Sequence, residues 1–477
     1  MHKRIASILL ALLMALTALT ACGGGSGSGS DVTAAGSDVA ETVTEPVVTA
    51  DPTRIPPDFK VNFDGQVYKI FNGYSKETKY ISRDIYPEEI TGESLNDSMI
   101  ERCTATEEKL GCVIEVTDGD LGRIKSNVAA GDDFAHVTYV DLSNIMNMVV
   151  SGYCLDFYDM PNIELSKVWW DRNAEAKLSF QGQLYYTFND SIFTHMDNCR
   201  AVYFNKQLVN DLGLGNLYEK VEDGTWTMAE MFRCGVAAVA DLDGNGVWNN
   251  QDRYGTLMWG VTGIGEMLLT GCDSEIMLQG DDGNPYFYCF TERFAEIYEK
   301  VLDFIKKDHN YFTSDVNAFM NGKSLFFGAA LNSTGPMRAM ETDFGILPAP
   351  KYTEDQEKYW NVSPNAHAMM LPVTITDTEF AGTVMEELAY QSSISLLPAY
   401  FDIMLKGKSA RDEESEAMLD LIHDSISYII KIIGVKFSDS IYSEMSKGNY
   451  AISSFLASKQ ESVELELQNV LDQFAGG

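Results

Sequence analysis

A chain of 477 residues with 70 Asp and Glu against 35 Lys and Arg carries a formal charge of −35. That field repels phosphate backbones and anionic headgroups, and with no basic cluster to counter it, nucleic acid is excluded as a partner. Hydrophobic residues at 45% with aromatics at 11% can fill large cores, and the length calls for two or more domains.

In chain order, MHKRIASILLALLMALTALTAC places Lys3 and Arg4 before an apolar run from Ile8 to Leu19, with small residues ahead of Cys22. This is the layout of an export signal over residues 1–21. The run is shorter than the roughly 20 residues that span a bilayer, and no comparable run follows it. Leu19-Thr20-Ala21-Cys22 resembles the bacterial lipobox, which implies that Cys22 is the first mature residue and carries a thioether-linked diacylglycerol. The competing reading is an ordinary secretory signal with a chance cysteine. At about 0.8 kcal/mol per buried methylene, two or three chains on one cysteine hold durably where one does not. Residues 22–57, GGGSGSGS and then DVTAAGSDVAETVTEPVVTADPTRIPP, lack aromatics and any sustained period; they read as a tether. Seven further cysteines, Cys103, Cys112, Cys154, Cys199, Cys234, Cys272 and Cys289, are odd in number without CxxC spacing, so no disulfide framework is implied.

Order is expected from near Phe59. VYKIFNG (67–73) reads as a strand opening into a loop. Leu95, Met99, Cys103 and Leu110 then share a helical face that Gly111 is placed to end, and CVIEV (112–116) reads as a second strand. FAHVTYV is a third strand stopping at Asp141, after which Leu142, Ile145, Met146, Val149 and Val150 keep helical spacing. LYYTF and RAVYFNK are further strands. A helix is expected over 228–239, then the acidic loop, then a strand in YGTLMWGV. Helices are expected over 291–319, strands at KSLFFGAAL, DFGILPAP and HAMMLPV, and helices from about 379 to 474. This alternation predicts α/β architecture with largely parallel sheets.

NGKS (321–324) and KGKS (406–409) suggest the end of a phosphate loop, but the required upstream glycine is Asn317 in one and Asp402 in the other, which rejects it. The loop DLDGNGVWNNQD (241–252) places oxygen side chains at positions 1, 3, 5, 9 and 12 around a glycine at 6, as a hard divalent cation requires. The expected Ca2+ ligands are the side chains of Asp241, Asp243, Asn245 and Asp252, the carbonyl of Val247, and Asn249 directly or through water. Asn at position 5 and Asp at 12 predict weaker binding than a strong EF-hand gives. A turn rich in Asp, Asn and Gly that holds no ion is the alternative.

Taken together, the lipobox, AAGDDFAHVTYVDLS (129–143), VYFNKQLVNDLGL (202–214), GTWTMAEM (224–231), NGKSLFFG (321–328) and KGKSARDEESEAMLDLI (406–422) resemble, in that order, the extracellular solute-binding lipoproteins of ABC importers, the sugar-binding branch in particular. The resemblance implies a two-lobe periplasmic-binding-protein-like α/β fold with a hinge of crossing strands. The first lobe is expected over 58–183 and about 341–390, the second over 184–340 and about 391–477. It further implies a monomer, lipid-anchored on the extracellular face, that delivers a solute, a carbohydrate in this branch, to ABC permease subunits. A calcium loop on one lobe away from the sugar also occurs among solute-binding proteins.

A sugar cleft needs flat aromatic faces and polar groups that fix hydroxyls. Trp259, ending a strand, is the first candidate. Trp360, Trp170, Asn72, Tyr74, Asp141, Asp190 and Asn198 follow, chosen because open α/β sheets bind ligands at strand C-terminal ends. Of the adjacent Trp169 and Trp170, one is expected in the core and the other near the hinge. Trp226 is expected to pack at a helix start. The alternatives are a secreted glycan-active enzyme using paired carboxylates and a calcium-dependent surface adhesion module. No catalytic motif accompanies the acids, and the six histidines lack ligand spacing.

Overall fold

VYKIFN forms the strand β1 (Val67–Asn72), whose core-facing positions are apolar. The computed structural model describes residues 53–81, 83–307, 309–313, 315–337, 339–405, 413–431 and 437–475. The export signal, Cys22, most of the tether and KGKS lie outside them. After β1 the helix Ser94–Leu110 buries Leu95, Met99, Cys103 and Leu110 on the expected face, and Gly111 ends it at φ 63°, a conformation glycine adopts without a Cβ penalty. The chain then forms β2 (Val113–Asp118), the helix Leu121–Ala130, β3 (Val137–Asp141), the helix Leu142–Val150 and the two-residue β4 (Tyr186–Thr187). Both β2 and β3 run parallel to β1, as helical crossovers require.

Beyond β4 the chain passes through the short helix Thr194–Asn198 into β5 (Arg200–Asn205) and then β6 (Tyr254–Met258). There follow a hairpin of β7 (Leu278–Gln279) and β8 (Pro285–Tyr286), then β9 (Asn310–Phe312), β10 (Ser324–Ala330) and β11 (Phe344–Leu347). The remaining strands are β12 (Asn361–Ser363), β13 (His367–Met370) and β14 (Ile426–Tyr428). Two five-stranded sheets result, with strand orders β2-β1-β3-β13-β4 and β11-β5-β10-β6-β9; β12 and β14 pair separately.

The sheets are mixed rather than largely parallel. β13 runs antiparallel to β3 and β4, and β5 runs antiparallel to β10 and β11. β5 is entered from β4 of the first sheet through the short helix Thr194–Asn198, and β13 from β11 of the second sheet through β12, so neither makes the helical return within one sheet that leaves neighbours parallel. The strands change sheet after Thr187 and again after Leu347. The helices Thr378–Ile394 and Leu396–Leu405 both pack on Ser94–Leu110, while Phe437–Lys447 packs on Val261–Gly271 and Ile452–Ala475 on Glu292–Ile305.

Side-chain alternation on β5 shows why these strands read as unbroken apolar runs. Val202 and Phe204 join one hydrophobic cluster, and Ala201 and Tyr203 the other; both faces of the sheet are covered. The strand expected in YGTLMWGV stops at Met258, and Val261 already begins a helix. The stretch 291–319, expected as helical, holds β9 between its two helices. NGKS leads from the helix Val316–Met320 into a strand, the reverse of a phosphate loop's strand-to-helix order.

Candidate functional site

Five of the candidates serve the interior. Asn72, 1% exposed, braces the turn after β1: its Oδ1 accepts from the Tyr74 N–H at 3.1 Å and its Nδ2 donates to the Arg83 carbonyl at 3.1 Å. Tyr74 is buried among the rings of Tyr80, Tyr139 and His367. Trp169 and Trp170 are both core residues, contrary to the expected split, because both indole N–H groups donate to Glu386, at 3.0 and 2.8 Å. Asp190 is buried between Arg54 and His423, each at 3.4 Å. Asn198 donates to the Thr194 carbonyl at 3.1 Å.

At the C-terminal end of the first sheet, Asp141 caps the helix Leu142–Val150, accepting from the Ser143 N–H at 2.7 Å and from the Ser143 hydroxyl. Beside it, a pocket of 290 Å³ is lined by Gly73, Glu77, Tyr139, Asp141, Asn144 and His367, among others. The backbone there is close: a Cβ on Gly73 would stand 2.2 Å from the Tyr139 carbonyl oxygen. His367 Nδ1 bonds the Tyr80 hydroxyl at 2.9 Å. Burial pulls the imidazole down to about 4 against the opposing pull of Asp141, so at neutral pH it is uncharged and can exchange hydrogen bonds with a hydroxyl.

The second sheet presents a different surface. Trp259 follows β6 and is 54% exposed, and Phe312, at the end of the neighbouring β9, is 44% exposed. The Arg200 guanidinium, at the start of β5, lies 5.3 Å from the Trp259 ring centroid. Glu266, on the helix after Trp259, feels both Arg200 and Lys431. Lys431 donates to the Pro364 carbonyl at 2.9 Å and to Asn365 Oδ1 at 3.2 Å, and the Tyr80 hydroxyl donates to the Asn365 carbonyl at 3.0 Å. Asn332, after β10, donates to the Lys79 carbonyl at 2.8 Å. These bonds tie Lys79 and Tyr80, next to the first-sheet pocket, to Asn332 after β10 and, through Asn365, to Lys431 after β14.

Neither a protein-family model nor a curated protein matches the sequence. Solved structures match over most of the chain. A cyclo/maltodextrin-binding protein complexed with maltotetraose superposes at TM-score 0.57 and 14% identity, covering 86% of this chain and 97% of that one. A cyclic alpha-maltosyl-1,6-maltose binding protein from Arthrobacter globiformis gives 0.57 at 12%, covering 85% and 100%. A family 1 extracellular solute-binding protein from Bifidobacterium longum subsp. infantis gives 0.53 at 13%, covering 83% and 100%. The fold is that of the two-lobe solute-binding proteins. In such a fold the two sheets are the cores of the lobes, and the crossing segments around β12 and β14 join them. Trp360 stands at that crossing, partly buried, with Lys177 at 5.3 Å and Lys358 at 5.7 Å from its ring. Sequence reasoning passed over Glu77, His367, Arg200 and Phe312. The available signals were a lone arginine opening an apolar strand and a lone histidine opening HAMM.

On the second lobe of this solute-binding fold, loop 241–252 follows the helix Met228–Ala238 and leads into β6. Gly244 and Gly246 take φ of 69° and 73°, and Asp241 accepts from both of their N–H groups, at 2.7 and 2.8 Å. Oxygens of Asp241, Asp243 and Asp252 lie within 4.8 Å of one another. Asp252 is 1% exposed and accepts from the N–H groups of Leu242 and Asn249, at 3.1 and 2.9 Å. No cationic side chain pairs with it among the described residues. An all-oxygen set with a buried anion of this kind fits a hard divalent cation. No described helix is long and apolar enough to cross a membrane.

Proposed function

We propose that the protein is an extracellular receptor that captures a sugar or oligosaccharide and delivers it to an ABC permease, held at the membrane by lipid on Cys22. The observation that carries this reading is the exposed indole of Trp259 at a strand end of the second sheet, with Arg200 over its ring, together with the Asp141 and His367 pocket at the C-terminal end of the first sheet. An aromatic face receives a sugar's C–H surface, and convergent polar groups fix its hydroxyls. The similar structures named above include two binding proteins for maltose-type oligosaccharides, which supports the carbohydrate class. Calorimetric titration with a saccharide panel is expected to find a ligand of about micromolar Kd, roughly −8 kcal/mol. Chromatography should recover that ligand unchanged. Cleavage of the bound sugar would overturn the receptor reading in favour of an enzyme.

In the same reading, loop 241–252 holds Ca2+ as a brace on the second lobe, through Asp241, Asp243, Asn245, Asp252, the Val247 carbonyl and Asn249. Binding only the folded form, the ion stabilises it by mass action. Calcium should raise the melting temperature and a chelator should reverse the gain. Asp241→Ala should abolish the response, and magnesium should substitute poorly because it prefers fewer, shorter oxygen contacts. Superimposable melting curves in calcium and chelator would leave the loop an ion-free turn.

A further inference from the structure

Arg200 stands out among the cations near these two sheet ends. Its guanidinium covers one face of Trp259 at 5.3 Å and abuts the start of the helix Val261–Gly271, where a Cβ on Gly263 would lie 3.9 Å from Nη2. Its Nε is buried without a hydrogen-bond partner, and no carboxylate pairs with the guanidinium among the described residues. Glu266 influences Arg200 without forming an ion pair, and burial holds the Glu266 carboxyl above its usual range. Lys431 adds a second positive charge beside Glu266.

A buried guanidinium N–H left unpaired is destabilising, and a ligand group that accepts from it relieves that cost. The planar fork matches a carboxylate bidentately, and stacking on an indole fixes the plane of that fork. Arg200 lies over the Trp259 ring, and the ring is still 54% exposed, which leaves aromatic surface for a pyranose. In the first-sheet pocket Asp141 carries negative charge and Glu77 already pairs with Lys79 at 3.7 Å, so a ligand carboxylate is better matched to Arg200 than to that pocket.

We infer that the solute is an acidic saccharide, one whose ring stacks on Trp259 and whose carboxylate pairs with Arg200. The inference rests on the receptor reading and names its substrate class.

The test is calorimetry on the full mature protein with matched pairs of ligands: short oligomers of galacturonate, glucuronate and mannuronate, each beside its carboxyl-reduced neutral form. At least one acidic member should bind about tenfold or more tightly than its reduced partner, and the preference should shrink with added salt. Arg200→Gln should erase that preference. Arg200→Lys, which keeps the charge but loses the fork, should retain only part of it and guards against a misfolded Gln variant. A reduced oligomer that binds as well as its acidic partner overturns the inference and leaves the receptor reading standing. Binding by no saccharide of either series removes both.

Discussion

Glu386→Ala is expected to lower folding stability by on the order of 3 to 6 kcal/mol. Glu386 is 1% exposed on the helix Thr378–Ile394, and three N–H groups converge on it: the indoles of Trp169 and Trp170 at 3.0 and 2.8 Å and the Glu164 amide at 3.2 Å. Truncation leaves these donors buried and unpaired at about 1–3 kcal/mol each and opens a cavity beneath two large rings. A domain of ordinary stability, about 5 to 15 kcal/mol, loses a large share of it. Glu386→Gln should cost less, because its amide oxygen still accepts from one side while its NH2 faces the other donor. Urea denaturation followed by tryptophan emission measures the loss. A Glu386→Ala variant within about 1 kcal/mol of the parent would mean that water reaches these indoles and that the site is not a sealed core.

Trp259→Ala should separate binding from folding. The ring is 54% exposed, and Arg200 is the one charged group over it among the described residues, so its removal should move stability by no more than about 0.5 kcal/mol. The loss of a stacking face should weaken saccharide binding by about tenfold to a hundredfold, or roughly 1.4 to 2.8 kcal/mol. Trp226 provides the internal control. It is 0% exposed, its indole N–H donates to the Pro348 carbonyl at 2.9 Å, and Trp226→Ala should cost about 3 to 5 kcal/mol. Parallel melting and titration of the two variants checks both statements. A Trp259→Ala variant that melts like Trp226→Ala would make the exposed ring a packing residue.

The sequence is most legible where one element is long enough to show its period. Leu95, Met99, Cys103 and Leu110 announce a helix face and Gly111 its end. Yet Arg102 lies buried on that same helix, its guanidinium donating to the carbonyls of Ser191 at 2.6 Å and Ile85 at 3.0 Å. A pattern of apolar residues carries no sign of such distant acceptors. The strands β9, β12 and β14, of three residues each, are too short to show a period of two. Strand direction is invisible for a different reason: periodicity fixes which face is buried, whereas the crossings that reverse β5 and β13 are tertiary.

The same distinction divides the candidate site. Asp141 and Trp259 are legible as strand ends because hydrophobic spacing changes just beyond them. Trp170 looks the same in sequence, but its acceptor Glu386 stands 216 residues away. Asp190 likewise depends on Arg54 and His423, which come from opposite ends of the chain. Arg200 and His367 are not legible in the sequence, because one charged or titratable residue beside an apolar run resembles any other until its tertiary partners are in place.

Small-angle X-ray scattering of the mature protein, with and without a saturating saccharide ligand, distinguishes a receptor whose lobes close on a sugar from a rigid one. Each lobe offers half a site, so the full set of contacts exists only when the lobes meet, and ligand must shift the population toward the closed form. Ligand should reduce the radius of gyration and the maximum dimension, reversibly on dialysis, with the sugar recovered intact. An unchanged scattering profile at calorimetric saturation would contradict closure.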